Sequence, residues 1–507
     1  MVLNSKLKNF FMNSASSVLY QITNAIIVLI TRNIFLNYIG VELLGINSTI
    51  SSLINAFSLT ELGFQGVIIY NLYKPLNEKD YDQINKIMSI YKNVYRAIAL
   101  VVLVSGLIFL PFLPYLLKGI YITRIIIFIY ILQLVNVSFS YLLSYKRTLM
   151  YADNKDYYSK FVDMIFRISI NVIKIIVVIY TQSMLLFLLL DIIYTVVSNF
   201  FVHIFCKKLF PYLKNEKFDK QLFLKLFKDV KDVFFGKVSG YIYSSTDNLV
   251  ISSLIGPSTV TLLTNYTSLI LQLKSLVNSI LYPVIPIIGR NISKNKNTEL
   301  MFNMYSELRY FFAGTILIPT YLLIDDFIIL WIGDKFILSM LLKVLLMIDF
   351  YITIVYAPCY EFNNSCGLFA FEKKIMLFGA LLNIIISITL SFFIGLEGVL
   401  IGTSISQLFL WGARSYICFN NVLKSGNSSF FKYWIKNFIN ILIIILLILV
   451  LSIFKSLVLS DISVLNFILW GFISVFLYWI VYYLNYKNTS FVKYIINMIR
   501  VIGKRDE

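Results

Sequence analysis

Fourteen apolar stretches, each long enough to cross a bilayer, alternate with short polar loops, and this alternation constrains the fold more than any motif does. They run approximately over residues 14–38, 43–70, 97–117, 121–145, 161–180, 184–206, 234–256, 259–288, 302–324, 337–360, 375–395, 398–420, 434–455 and 464–486. Hydrocarbon offers the backbone no hydrogen-bond partners, so each stretch is expected as an α-helix of about 20 residues. Of 507 residues, 59% are hydrophobic and 14% charged, with a mean hydropathy of +0.80. Soluble domains carry about 25% charged residues, so a water-soluble globule is excluded. The expected fold class is an all-α polytopic membrane protein.

The net charge is +18, from 44 Lys and Arg against 26 Asp and Glu. Its distribution points to membrane orientation and to no nucleic acid as a partner. With the N-terminus in the cytoplasm, the tails and loops on that side hold 35 Lys and Arg; the opposite loops hold four, Lys118, Arg124, Lys335 and Lys455. The positive-inside rule then places both termini in the cytoplasm. The short polar start of the chain gives no expectation of a cleavable signal peptide. The outer loops are short, the longest being 325–336, so no extracellular domain is expected. The single histidine, His203, argues against zinc hydrolases and His-based catalysts. Cys206, Cys359, Cys366 and Cys418 sit in or beside apolar segments without a C-x-x-C pattern and read as free thiols. No Walker motif, G-x-S-x-G or H-E-x-x-H is present. Residues 70–96 alternate charged and apolar residues and read as a cytoplasmic surface helix.

The longest basic stretch, 207–237, divides the chain. The expected organisation is an N-lobe at 1–206 (spans 1–6), a cytoplasmic linker at 207–233, a C-lobe at 234–420 (spans 7–12), and spans 13–14 with a tail at 421–507. The halves repeat weakly. Ile39-Gly40 closes span 1 and Ile255-Gly256 closes span 7, and a span with a polar stripe follows each. In span 2 the stripe is Asn47, Ser51, Asn55, Ser58, Glu61 and Gln65; in span 8 it is Asn265, Ser268, Gln272, Ser275 and Ser279. Steps of three and four place each set on one helical face. Such stripes either glue helices together or line a hollow. Their recurrence at one offset favours a central cavity between two pseudo-equivalent six-helix lobes, as in many secondary transporters.

Ionisable residues at membrane depth are functional candidates. Asp163, Arg167, Asn171 and Lys174 share one face of span 5, where Asp163 and Arg167 are i,i+4 neighbours able to pair. Lys174 has no such local carboxylate, Lys274 lies near the middle of span 8, and Arg32 lies near the outer end of span 1. Arg32 either snorkels or faces the cavity. Buried cations of this kind call for an anion, and phosphate suits them: Arg binds it bidentately and Lys as a point charge. Among the acids, Asp191 and Asp349 could pair with these cations. Glu61 and Asp247 either pair structurally or carry a coupling H⁺ or Na⁺; no other cofactor is expected.

Several runs then resemble a known family. Leu43-Leu44-Gly45-Ile46-Asn47, Leu59-Thr60-Glu61-Leu62-Gly63 and Tyr70-Asn71-Leu72-Tyr73-Lys74-Pro75-Leu76 are similar to the start of polysaccharide transporters of the Wzx type. Thr246-Asp247-Asn248-Leu249-Val250-Ile251-Ser252, Leu330-Trp331-Ile332-Gly333 and the run from Gly395 to Thr403 follow in the same order. The resemblance covers about residues 5–420 and weakens beyond. It places the chain among the multidrug/oligosaccharidyl-lipid/polysaccharide exporters and implies a two-lobed helical fold with a central cavity. The implied activity is a flippase, not an enzyme. It carries an undecaprenyl-pyrophosphate-linked oligosaccharide from the cytoplasmic to the outer leaflet of a bacterial cell membrane, for surface polysaccharide such as capsule or O-antigen. By position in the spans, the implied pyrophosphate cations are Arg32, Arg167, Lys174 and Lys274. The glycan would meet Asn47, Asn55, Gln65, Asn171, Asn265 and Gln272, with ion coupling at Glu61 and Asp247. Implied partners are the lipid-linked oligosaccharide, membrane lipids, a polysaccharide polymerase and a chain-length regulator.

Three other classes fit less well. A cation-coupled multidrug antiporter of the same superfamily would favour an acidic, aromatic cavity. A membrane polysaccharide polymerase or glycosyltransferase would need a substantial outer loop. A scaffold gives no reason for repeated polar stripes.

Overall fold

The computed structural model describes residues 2–57, 64–153, 155–224, 226–227, 246–281, 288, 298–458, 462–490 and 492–493. Regular structure among them is helical, with no strand. In chain order the helices are α1 (Val2–Tyr38), α2 (Val41–Phe57), α3 (Phe64–Glu78), α4 (Tyr81–Phe109), the single turn α5 (Leu113–Leu116), α6 (Arg124–Ala152), α7 (Tyr157–Thr181), α8 (Met184–Leu209), α9 (246–254) and α10 (Pro257–Leu281). They continue as α11 (Thr298–Ile332), α12 (Met340–Val355), α13 (Ala357–Ser365), α14 (Phe369–Ile394), α15 (Leu396–Ile417), α16 (Gly426–Val458) and α17 (Val464–Tyr486). Ten helices among the described residues are long and apolar enough to cross a membrane. Long stripes of their side chains, such as Leu446, Leu449, Val450 and Ile453 on α16, stay exposed, as expected of surfaces that lipid covers. The four cysteines are free thiols.

Of the span expected over 43–70, Asn47 and Asn55 lie on α2 and Gln65 lies on α3. Ser58 and Glu61 lie outside the described residues. The surface helix expected over 70–96 is instead the end of α3 and the start of α4. Lys79 takes a left-handed turn (φ 58°), and Asp80 caps α4 by accepting the Gln83 amide at 3.0 Å. A short polar side chain at an N-cap satisfies a donor that has no partner within the helix, so α4 starts there and runs directly into its apolar part.

The chain forms two compact units, 1–261 and 262–507. This division falls at a different place from the 207–233 linker read from the sequence; α9 belongs to the first unit, where Asn248 donates to Ser52 at 3.1 Å. Within the first unit α6 packs on α4 and α8, and α7 packs on α1 and α8. In the second unit α14 and α15 form a tight hairpin, and α11 carries α12, α16 and α17. Ion pairs cross-link this unit internally: Arg309 with Glu361, Lys343 with Asp325, Arg414 with Glu372, Lys436 with Glu307, and Lys455 with Asp326. Pairing offsets part of the cost of burying each charge.

Candidate functional site

Two helix turns set the site. Gln182 ends α7 in the left-handed conformation (φ 50°), and Ser183 caps α8 by accepting the Leu186 amide. From this two-residue turn, Lys174 and Asp191 stand equally far down antiparallel helices. At about 1.5 Å per residue both lie roughly 12 Å from the turn, and they form an ion pair. The turn between α6 and α7 sets Arg147 level with Asp163 in the same way. Arg147 donates two hydrogen bonds to that carboxylate, at 2.6 and 2.8 Å, and a third to Asn199 at 2.9 Å.

This last pair leaves Asp163 to Arg147 and not to Arg167, the i,i+4 neighbour able to pair with it. The planar guanidinium fork of Arg147 meets both carboxylate oxygens at once, which an i,i+4 neighbour on one helix does not match. Arg167 turns toward α1. It donates to the Tyr20 hydroxyl at 2.5 Å and lies over the rings of Tyr20 and Tyr194, 5.8 and 6.0 Å from their centroids. Among the described residues no carboxylate lies within ion-pair distance of it.

Arg32, Arg167 and Lys174 line one cavity of ≈ 280 Å³ in the first unit, walled by α1, α2, α7 and α8. Asn171 and Asn47 line it too. Asn171 accepts from Thr31 at 3.4 Å and donates to the Arg167 carbonyl at 2.7 Å. Arg32 donates to the Thr261 carbonyl at 3.3 Å. The Asn24 side-chain oxygen is buried in the wall with no hydrogen-bond partner among the described residues. Apolar walls come from Ile27, Val28, Phe35 and Phe187. The ammonium of Lys174 stands 4.1 Å from the ring centroid of Phe187. The described lining residues carry three cations and one carboxylate, Asp191, for a formal charge of +2.

A second cavity of ≈ 220 Å³ shares Asn47, Phe187 and Asp191 with the first and adds Ser51, Asn55, Gln133 and Asn136. Its wall is a hydrogen-bonded network. Gln133 donates to the Asn47 side-chain oxygen at 2.5 Å and accepts from Ser51 at 2.9 Å, and Thr195 donates to Asn136 at 2.7 Å. One hollow therefore presents cations and the adjoining one presents amides and hydroxyls.

The other sequence-selected residues lie elsewhere. Lys274, in the second unit, is paired with Asp349 and donates to Thr353 at 3.3 Å. Asn265 is fully buried at 0% exposure, Gln272 is half-buried on the same helix, and Gln65 is exposed on α3. Asp247 is half-buried on α9, and Glu61 lies outside the described residues. Sequence reading missed Tyr20, Asn24 and Thr31. Their spacing of four and seven is a helical stripe visible in span 1, which the apolar residues between them obscured. Gln133 and Asn136 were also missed, being two amides within the apolar first half of α6.

A family model described as "Polysaccharide biosynthesis protein" matches residues 10–292. Among solved structures, the chain is similar to "Lipid II flippase MurJ, inward closed conformation", with 16% identity, a TM-score of 0.69, and coverage of 92% of this chain and 99% of that one. It is also similar to an inward-facing multidrug resistance MATE family transporter of the MOP superfamily, at 13% identity, TM-score 0.59, covering 79% of this chain and 96% of that one. The Vibrio cholerae MATE transporter VcmN in the bent form aligns at 14% identity and TM-score 0.53, over 83% of this chain and 98% of that one. No curated protein matches the chain. The structural likenesses give the fold: a multi-pass helical architecture shared with a flippase and with multidrug transporters.

Proposed function

Because the chain belongs to the polysaccharide biosynthesis protein family, we propose that it translocates an undecaprenyl-pyrophosphate-linked oligosaccharide from the cytoplasmic to the outer leaflet of a bacterial cell membrane, by alternating access. The observation that carries this reading is the cation excess of the first cavity, where Arg32, Arg167 and Lys174 face a single carboxylate. Charge of one sign inside an apolar bundle is costly unless an opposite charge meets it. A pyrophosphate supplies two or more negative charges and acceptor oxygens, which fit an Arg fork and a Lys point charge. The Asn47–Gln133 amide pair and Asn55 on the same wall offer hydrogen bonds to sugar hydroxyls, and the polyprenyl tail stays in lipid. The lobes 1–206 and 234–420 would rock to reverse exposure. Lys274 is held by Asp349 and does not line this cavity; Lys174 is likewise paired, with Asp191, but that pair lines the cavity beside Arg32 and Arg167, so the phosphate site rests on these three cations. A coupling H⁺ or Na⁺ at Glu61 or Asp247 completes the proposal.

Arg167→Glu and Lys174→Gln are each expected to lower surface polymer export at least tenfold while membrane abundance stays at the wild-type level. Unchanged export in both variants refutes the assignment. Organic-cation efflux by the wild type, lost in the same variants, would instead establish the antiporter reading.

A further inference from the structure

The basic residues at one end of α4, α6 and α8 fall into a paired set and an unpaired one. Lys86, Lys155 and Lys160 each have a carboxylate within 3.0 Å: Asp82, Asp153 and Asp156. Lys92, Arg96, Lys146 and Lys207 enter no ion pair among the described residues. The structure nevertheless gathers them. Lys146 meets His203 across the α6–α8 contact at 3.3 Å. It also lies within electrostatic range of Lys92 and Lys207, and Lys92 lies within that range of Arg96. Lys92 donates to Asn215 of the following loop at 2.9 Å, while that loop's carboxylates, Glu216 and Asp219, act on Lys86. Four cations and an imidazole therefore share one patch with no acid paired to them among the described residues. Mutual repulsion opposes such an arrangement unless an anion is present.

The patch also sits at the end of three exposed apolar stripes. On α4, Arg96 is followed at successive turns by Leu100, Val104 and Ile108, all exposed. On α8, Lys207 and His203 continue a stripe of exposed Phe200, Val196 and Ile193. On α6, Lys146 follows exposed Leu142 and Phe139. Steps of three and four place each set on one helical face. A surface that is apolar along its length and cationic at its end matches one kind of ligand: acyl chains joined to a phosphate.

We propose that Arg96, Lys146, His203 and Lys207, at the end of the exposed stripes of α4, α6 and α8, form a binding site for an anionic phospholipid of the surrounding leaflet. The headgroup phosphate sits among the four side chains, with Lys92 behind them, and the acyl chains lie along the stripes. The site is separate from the cavity walls, since none of these residues lines either cavity.

The test uses the full chain in nanodiscs of phosphatidylcholine with trace spin-labelled phosphatidylglycerol or spin-labelled phosphatidylcholine. The wild type is expected to immobilise the labelled phosphatidylglycerol preferentially. The triple variant Arg96→Gln/Lys146→Gln/Lys207→Gln should lose that preference, by roughly fivefold per base removed at low salt. Lys373→Gln/Lys374→Gln, which removes charge from another helix, should keep it. A cooperative thermal transition at the wild-type temperature establishes that the triple variant is folded; if it is not, the three single variants are measured and each should weaken the preference. Equal immobilisation of both lipids by the wild type, or a preference unaltered by all three single variants, overturns the proposal. So does full displacement of the labelled lipid by millimolar soluble glycerol phosphate, which would mark a site for free phosphate rather than for lipid.

Discussion

Arg167 owes its availability to a neighbour. Arg147 takes both oxygens of Asp163, so Arg167 is left to a phenol and two ring faces. These contacts hold a guanidinium without neutralising it, which suits a group that must accept and release an anion. Tyr20→Phe keeps the charge and removes one hydrogen bond. Its expected effect on transport is a several-fold loss, on the order of 1 kcal/mol, against the much larger loss in Arg167→Gln; initial transport rates of the two variants check this order. Asp163→Asn acts differently, because it strands the partly buried Arg147. Breaking such a pair from one side costs about 3–5 kcal/mol, so thermal unfolding in detergent should show a marked fall in Tm. Replacing both members with apolar residues, Arg147→Met/Asp163→Leu, should recover most of it. An unchanged Tm in Asp163→Asn would remove the pair from this account.

At the scale of elements, the apolar periodicity made most helices legible, α8 and α17 at nearly their observed limits and α6, α14 and α16 without a polar turn or two at one end. The α3–α4 junction was not, because the left-handed residue there is Lys79 rather than Gly, and an Asp N-cap inside a run of charges reads as one more charge. The Lys174–Asp191 pair was latent in the chain: equal counts on either side of Gln182-Ser183 put them level, but only once the turn is located. A left-handed non-glycine residue costs roughly 1 kcal/mol. Gln182→Gly is therefore expected to raise Tm or leave it unchanged while transport persists; a lower Tm would contradict the assigned turn. The start of α2 is fixed by close approach. A Cβ at Gly45 would overlap the Pro257 carbonyl oxygen, and backbone atoms cannot yield as a flexible side chain does. Gly45→Ala should displace α2, and with it Asn47, lowering both Tm and transport. Wild-type values for both would show that the contact yields.

For the whole molecule, charge is distributed unequally. The second unit neutralises its deep cations in pairs, Lys274 with Asp349 among them. The first unit gathers three on one hollow beside a network of amides, with one of them, Lys174, paired to Asp191. Sequence reading selected these three cations by their depth in apolar segments. It also selected Lys274, because a partner 75 residues away leaves no trace in local spacing. The same limit applies to Asn265, whose stripe position is equally compatible with a cavity wall and with the buried seam that it occupies. The fold is shared by flippases and drug transporters alike, so the cargo has to be decided by chemistry at the cavity.

A leaflet-resolved assay in proteoliposomes decides it most directly. A fluorescent undecaprenyl-pyrophosphate-linked oligosaccharide is loaded, and the fraction reaching the opposite leaflet is read by a membrane-impermeant quencher. The account predicts transfer by the wild-type chain and background transfer by Arg167→Gln/Lys174→Gln at equal protein density. Transfer by that double variant at the wild-type rate would contradict it.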